Sequence, residues 1–575
     1  MTELTIDPPK TLARKETKAQ KLERLKREKN PWEVFDEVRA FARQGRDSVV
    51  PDWASTYFKW WGIYTQGDGI GAIGGSGGEG KATQYFMMRI GVPNGILRSS
   101  QLRVIAEITR RHAHNLADIT TRQNIQLHWL TIESLPEIVD TLTKIGLSPK
   151  GACGDVSRNV TGCPLAGIAE DEISDASLLA LELAGDLTAN PEFYNLPRKY
   201  KVSITGCPSW CTYPEINDVG LTAVERKSAH GTEIGYTLRV GGGLSNEPHL
   251  AVRLNAFLHP HQVVPAVHAV TEIFRGQQVL RESRDRARLK YLFMKEGWDA
   301  EQFLAEIEAR LGYRLEPGVE ERVPQDIFRD HVGIHRQKQQ GLSYVGASVL
   351  RGRLSGDQLA AVAELSEKFG TGDLRTTVMQ NLLLTNIPNA KANELARELG
   401  SIGLRVEGSS FWRGAIACTG TEFCKLAITE TKGFTRWLVE ELEQRIPEFD
   451  QQIKLNVTGC PNSCGQHWIA DVGIEGKKIK QAGKLVDAYY FCLGGSVGLH
   501  GRTARPVGYR CAATDVPDAL ERLLRSYLAA RDPGENLRQY FARHEDAELR
   551  DQLAGTSVAP VERDVSPGRV PHAAE

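Results

Sequence analysis

No stretch of this chain comes near the ~18 consecutive apolar residues that a membrane-crossing helix needs, which excludes a helical span. The first residues, MTELTIDPPKTLARKETK, alternate charges and lack the apolar centre of a secretory signal, so the expected location is cytoplasmic. Net charge is almost absent as well. Lys and Arg number 71 against 72 Asp and Glu, leaving −1, which excludes whole-protein attraction to nucleic acid and leaves only local basic patches. A nucleotide-binding module is also missing. Gly69-x-Gly71-x-x-Gly74 has dinucleotide-fingerprint spacing, but its frame, GDGIGAIGGSGGEG, has no apolar strand before it and no helix after it, so it reads as a loop. Cysteines are few, ten in all, and in a reducing compartment they are expected as free thiols, ligands or catalytic groups rather than disulfides. What remains is ordinary globular material, 41% hydrophobic and 25% charged. At 575 residues it is too long for one core and is expected to form three or four domains.

The chain repeats itself. FMMRIGVPNGILRSSQLRVIAEI, from Phe86, recurs weakly as SYVGASVLRGRLSGDQLAAVAEL, from Ser343. Gln101 matches Gln358 and Gln123 matches Gln380, both at an offset of 257 residues. Each copy reads as strand, helix, strand, helix, the order of a small ferredoxin-like α/β sandwich. A second unit follows each copy. KVSITGCPSWCTYPEINDVGL, from Lys201, matches KLNVTGCPNSCGQHWIADVGI, from Lys454, at an offset of 253, which also carries Gly241-Gly242 onto Gly494-Gly495. The expected fold class is therefore α+β, duplicated as A–B–A′–B′, with the halves related by a pseudo-twofold axis. The expected segments are a charged, partly helical leader (1–50), a first ferredoxin-like half-domain (51–150), a first B domain (151–330), a second half-domain (331–405), a second B domain (406–550) and a disordered tail (551–575).

Only the second copy holds two tight cysteine pairs, Cys418 and Cys424 in ACTGTEFCKLA and Cys460 and Cys464 in TGCPNSCGQ. In the first copy Cys207 and Cys211 survive, and Arg158-x4-Cys163 echoes Arg413-x4-Cys418, but nothing matches Cys424. One complete site is expected, in the C-terminal half. Four thiolates can hold an iron–sulfur cluster or a zinc ion. The x5 spacing fits zinc knuckles poorly. Pro461 suits the first turn of a helix following a strand, which would aim backbone N–H groups at a negatively charged site. A cluster is favoured, and zinc or four structural cysteines stay open.

With TGCPNSC, ITTRQNIQ, GDVSRNV and LPRKYK in place, the chain resembles the siroheme-dependent sulfite and nitrite reductases from about residue 30 to residue 540. The resemblance implies a 4Fe–4S cluster on Cys418, Cys424, Cys460 and Cys464, with Cys464 also ligating siroheme iron and Asn462 tuning the cluster. It further implies Arg89, Arg158, Lys199 and Lys201 on the substrate side, and Arg122, Gln126, His128 and Arg198 supporting the macrocycle. Lys199 and Lys201, two apart on an expected strand, would face one anion with lowered pKa values and ease proton delivery. Lys201 favours a doubly charged sulfite-like anion, where nitrite reductases of the family commonly carry Asn, whereas TGCPLAGI looks like the nitrite branch. Sulfite is the expected substrate and nitrite the alternative. Some relatives also carry a Tyr–Cys thioether beside the siroheme, which Tyr64 and Cys153 would form here. Without a flavin or nicotinamide module, electrons must arrive from another protein, ferredoxin or a separate flavoprotein. Lys15, Lys18, Lys21, Arg24 and Lys26, with Arg281, Arg284 and Arg288, form the candidate docking face. The chain is expected to be a monomer. A reading of another class, a zinc-stapled scaffold without catalysis, leaves this basic set unexplained.

Overall fold

A computed structural model describes residues 16–66, 85–229, 231–325 and 328–556. The Gly69-x-Gly71-x-x-Gly74 loop and Lys15 lie outside them. The architecture is α+β and duplicated, built on four five-stranded sheets.

Two of the sheets are antiparallel and belong to the repeated half-domains. The first contains Ile63–Thr65, Phe86–Ile90, Ile125–Leu130 and Ala117–Ile119, and its last strand, Arg353–Leu354, comes from the second copy. The other contains Gly333–Arg336, Leu342–Ala347, Leu382–Pro388 and Asp373–Thr376, and is completed by Ile96–Arg98 from the first copy. Each half-domain thus lends a short strand to its twin. The consequence is one shared core, in which Val92, Leu102 and Leu127 join Val345, Leu359 and Leu384.

Repeated residues do repeated work. The Gln101 side chain accepts from the Arg98 backbone N–H at 3.0 Å and donates to the Ile145 carbonyl at 3.0 Å. Gln358 accepts from Ser355 at 3.0 Å and donates to Ile402 at 2.9 Å. Gln123 and Gln380 both take positive φ, 61° and 64°, at a tight turn before a strand. From there Gln123 donates to the carbonyls of Thr376 (2.9 Å) and Gly162 (3.0 Å), and Gln380 to those of Ile119 (2.9 Å) and Ala417 (3.2 Å). Each amide therefore ties its own half-domain to the other copy and to the domain that follows.

The other two sheets mix parallel and antiparallel pairing. Thr161–Gly162, Val202–Thr205 and Val219–Ser228 run parallel, and Gly231–Val240 and Val252–Leu258 continue antiparallel. Ala415–Ala417, Leu455–Thr458, Val472–Gln481, Lys484–Leu493 and Arg505–Ala512 repeat that pattern. In both sheets the cysteines follow the carboxyl ends of the parallel strands, where open α/β sheets place their ligand crevice.

Three expectations are corrected. The helix expected after Gly459 does not form. Residues 459–466 are turns, with Ser463 and Gln466 at φ 56° and 61°, and only the three-residue turn His467–Ile469 is helical. The reason is steric: a left-handed residue every few positions stops helix propagation, and the loop folds back so closely that a Cβ on Gly465 would stand 2.3 Å from the Val457 carbonyl. Second, the start of the expected disordered tail (551–575) falls inside a helix. Helix Asp546–Ala554 buries Leu549 and Leu553 in the C-terminal core and ends on Gly555 at φ 74°; residues 557–575 lie outside the described residues.

Third, the proposed basic docking face is largely internal. Lys26 is fully buried between Glu23 and Asp155, and Arg281 binds Glu23 (2.8 Å) and Asn195 (2.9 Å). Arg284 makes a two-pronged pair with Asp155 at 2.7 and 2.8 Å, and Arg288 is buried against Asp218 at 2.9 Å. These charges staple the leader and loops to the first half. Lys21 and Arg24 are exposed but paired, with Asp52 and with Glu16 and Glu28.

Candidate functional site

A cavity opens where the half-domain pair meets both B domains. Its wall collects residues more than 300 positions apart, from Arg89 to Gln466.

One side is cationic. Arg89 sits on strand Phe86–Ile90, cross-strand from Gln126, and donates to the Gln126 side-chain amide oxygen (Oε1) at 3.0 Å and to the Cys153 sulfur at 3.0 Å. Arg122, in the turn before strand Ile125–Leu130, is pinned by Asn217 (2.7 Å) and the carbonyls of Asn159 (2.6 Å) and Val202 (3.1 Å). Burial, then Arg158 beside it, pulls its guanidinium down to about 9, still charged at neutral pH. Arg158 holds the carbonyls of Ala152 and Gly154 at 3.2 and 2.9 Å. In all three arginines Nε is buried with no hydrogen-bond partner among the described residues.

Lys199 and Lys201 complete this wall. They precede strand Val202–Thr205 rather than lying within it, but the alternation holds: Tyr200 between them points into the core against Phe274 while both lysines line the cavity. Neither ammonium has a hydrogen bond or ion pair among the described residues. Burial, then Arg288, pulls Lys199 down to about 7, and burial, Arg288, Lys199 and Arg122 hold Lys201 well below the usual lysine range.

The facing wall carries the cysteines. Cys464 is the exposed cysteine and lines the cavity with Cys418, Asn462 and Ser463. Cys424 and Cys460 stand behind. The Gly459 N–H donates to the Cys418 sulfur at 3.2 Å, and the Asn462 amide reaches the Cys460 sulfur at 3.5 Å. Burial, with Cys464 the next contributor, pushes the Cys424 and Cys460 thiols up to about 12 and raises Cys418 too. At neutral pH these protons leave only when a bound metal replaces them. No three of the four sulfurs lie within 4.8 Å of one another, since the one such group among the described residues is elsewhere. A single zinc ion would draw them closer than that. The spread suits a cluster, in which each thiolate meets a different iron.

His128, Arg198, Tyr64 and Cys153 are not among the lining residues. His128 stands behind Gln126 (3.3 Å), stacked on Phe423 with ring centres 4.0 Å apart and bonded to Asp118 at 3.1 Å; burial lowers its pKa. Arg198 turns toward Asp155 at 3.9 Å. The Tyr64 hydroxyl and the Cys153 thiol are hydrogen-bonding neighbours behind Arg89, whose guanidinium lies 5.9 Å from the Tyr64 ring.

Several wall residues escape sequence reasoning. Arg288 and Lys432 line the cavity, as does Asp118, which pairs with Arg353 (3.0 Å) and Lys432 (3.5 Å). Burial opposes the Asp118 charge, but Lys432 and Arg353 override it and hold the carboxyl well below the usual range. Asp118 and Lys432 sit in no motif, and Arg288 is expected from the sequence on a docking face. Only the fold brings them together.

A thiol-lined cavity walled by half-buried cations fits a redox metalloenzyme acting on a small anion. The model of the nitrite and sulphite reductase 4Fe–4S domain matches residues 153–315 and 408–556, and that of the nitrite/sulfite reductase ferredoxin-like half domain matches 79–145 and 335–402. A Mycolicibacterium paratuberculosis protein named sulfite reductase (ferredoxin) 2 is 36% identical over 540 residues, covering 92% of this chain and 95% of its own. An assimilatory ferredoxin-dependent nitrite reductase of Haloferax mediterranei is 35% identical over 564 residues, covering 92% of each. The solved structure of Mycobacterium tuberculosis NirA matches with a TM-score of 0.87 at 36% identity, over 92% of this chain and 97% of that one. The chain belongs to the nitrite and sulphite reductase family, an oxidoreductase family, and its cofactors are siroheme and a 4Fe–4S cluster. No helix among the described residues is long and apolar enough to cross a membrane.

Proposed function

We propose that this chain is a ferredoxin-dependent reductase that takes sulfite to sulfide by six electrons. The observation that carries this reading is the pair Lys199 and Lys201. Both line the cavity wall without a protein partner among the described residues, and the Cys464 sulfur is close enough for its charge to act on Lys199. Two uncommitted lysines that take up protons as the anion binds suit an anion of two charges better than one of a single charge.

When bound, the cluster and siroheme would supply electrons one at a time. The protein's residues then have separate tasks. Cys418, Cys424, Cys460 and Cys464 would hold the cluster, Cys464 would also serve the macrocycle iron, and Asn462 would adjust the cluster through its amide. Arg122 and Gln126 would hold the carboxylate-bearing macrocycle, with His128 fixing Gln126 and Arg198 adding charge from behind. Arg89, Arg158, Lys199 and Lys201 attract and orient the anion. Lys199, with a pKa of about 7, can both hold and release a proton at neutral pH. The test is anaerobic oxidation of reduced ferredoxin by sulfite and by nitrite. A higher kcat/KM for sulfite is expected, and nitrite turnover with sulfite silent would overturn the substrate assignment in favour of nitrite reduction to ammonia.

A Tyr64–Cys153 thioether is the second reading, favoured by contact between the two side chains beside Arg89. A tryptic digest should contain the joined peptides two hydrogens lighter than their sum; both peptides recovered unlinked would end the idea.

A further inference from the structure

The first copy's cysteines are not idle remnants. Cys163 follows strand Thr161–Gly162, and Cys207 and Cys211 follow strand Val202–Thr205, so all three occupy the positions of cluster ligands in the second copy. The Cys211 sulfur lies 3.5 Å from that of Cys163 and 3.7 Å from that of Cys207, and all three lie within 4.8 Å of one another. A tetrahedral ion with sulfur at about 2.3 Å sets its thiolates about 3.8 Å apart. The triad has the spacing of a single ion. A disulfide would use two of the sulfurs and strand the third.

The surroundings explain why the second site differs from the first. Six residues after Cys163, where Cys424 would follow Cys418, stands Ala169, packed with Leu165, Ala166, Ile168 and Leu383 around the sulfurs. A methyl group there removes the fourth thiolate and closes the space a cluster would need. Two polar groups lie near this apolar pocket. Arg329, bonded to Ser209 at 3.1 Å and paired with Asp171 at 3.1 Å, feels the charges of Cys211 and Cys207. His331 is 3% exposed, neither ring nitrogen has a hydrogen-bond partner among the described residues, and Cys207 is within electrostatic reach, although the ring nitrogens are not within 4.8 Å of all three sulfurs. A buried imidazole with two unmet nitrogens is costly unless it has a ligand.

We propose that Cys163, Cys207 and Cys211 hold one zinc-class divalent ion in a structural site, with the His331 imidazole turning in as the fourth ligand when the ion binds. Binding releases the three thiol protons; three thiolates around a divalent ion leave one negative charge, beside the Arg329–Asp171 pair. The ion staples the first B domain to the second half-domain, since His331 immediately precedes strand Gly333–Arg336.

The experiment is metal analysis with zinc-edge X-ray absorption on the tag-free holoenzyme. About one zinc per chain is expected beside the iron, with three sulfurs at about 2.3 Å and one nitrogen at about 2.0 Å. Cys163→Ser should lose the zinc while iron per chain and Soret absorption stay unchanged, and His331→Ala should lose the nitrogen scatterer and release zinc faster to a chelator. Zinc at trace level, zinc bound by nitrogen and oxygen only, or a Cys207–Cys211 disulfide found by mass spectrometry would overturn the site. An unchanged nitrogen shell in His331→Ala would overturn the fourth ligand. If Cys163→Ser does not fold, the spectrum of the unmodified enzyme decides alone.

Discussion

Lys199 and Lys201 are where the chemistry of single residues shows most clearly. Lys201→Asn removes one of two uncommitted lysines in the cavity wall, and a charge-assisted contact to the anion is worth about 1.5–3 kcal/mol. Sulfite kcat/KM should fall roughly 10- to 100-fold, with nitrite losing less because its single charge interacts half as strongly. Parallel steady-state kinetics on both anions checks this. The pH dependence follows from Lys199. Its pKa of about 7 lies below the usual lysine value because of burial and then Arg288, so its charge is present below about pH 7 and is lost above it. The KM for the anion should rise as pH climbs through the neutral range, and Lys199→Met should flatten that rise. The same shift affects the cofactor-free fold. Between pH 7 and the ordinary lysine value the unfolded chain holds a proton the fold lacks, so stability from this group rises with pH across that window and the burial cost is felt in full below it. These lysines were legible because they stand in a motif with other cations. Arg288 and Lys432 were not, because one basic residue in a helix or loop looks the same whether it meets solvent or a cavity.

At the level of elements, the exchanged strands and the paired glutamines carry the architecture. Gln123→Ala would strand the carbonyls of Thr376 and Gly162 and the Gly162 N–H, all now bonded to that amide. Leaving such groups unmet costs about 1–3 kcal/mol. Urea unfolding should show a lowered midpoint, and Gln380→Ala should behave alike because its amide spans the mirrored seam. The repeat made Gln123 and Gln380 visible, since chance rarely preserves the same pair at a fixed offset. It did not reveal that Arg353–Leu354 and Ile96–Arg98 cross over, because a two- or three-residue strand leaves no periodic pattern to read. The absent helix after Gly459 has a similar cause. Pro461 is compatible with a first helical turn, but the closeness of Gly465 to the preceding strand is a tertiary constraint.

Across the whole molecule, buried ion pairs bind the leader to the catalytic half. Lys26 is fully buried with Glu23 and Asp155, and Asp155 also holds Arg284. Breaking such a pair on one side costs about 3–5 kcal/mol. Lys26→Ala should therefore lower the unfolding midpoint while leaving the KM for ferredoxin unchanged; a raised ferredoxin KM with unchanged stability would restore Lys26 to a docking face. The duplicated frame brings the cation wall of one half against the thiol wall of the other, and Cys464 is where the two meet. The most direct measurement is the Mössbauer spectrum of holoenzyme grown on iron-57. A siroheme iron joined to the cluster through Cys464 must impose magnetic splitting on the cluster iron in the oxidised state. A diamagnetic, unsplit cluster beside an independent siroheme would contradict the shared sulfur.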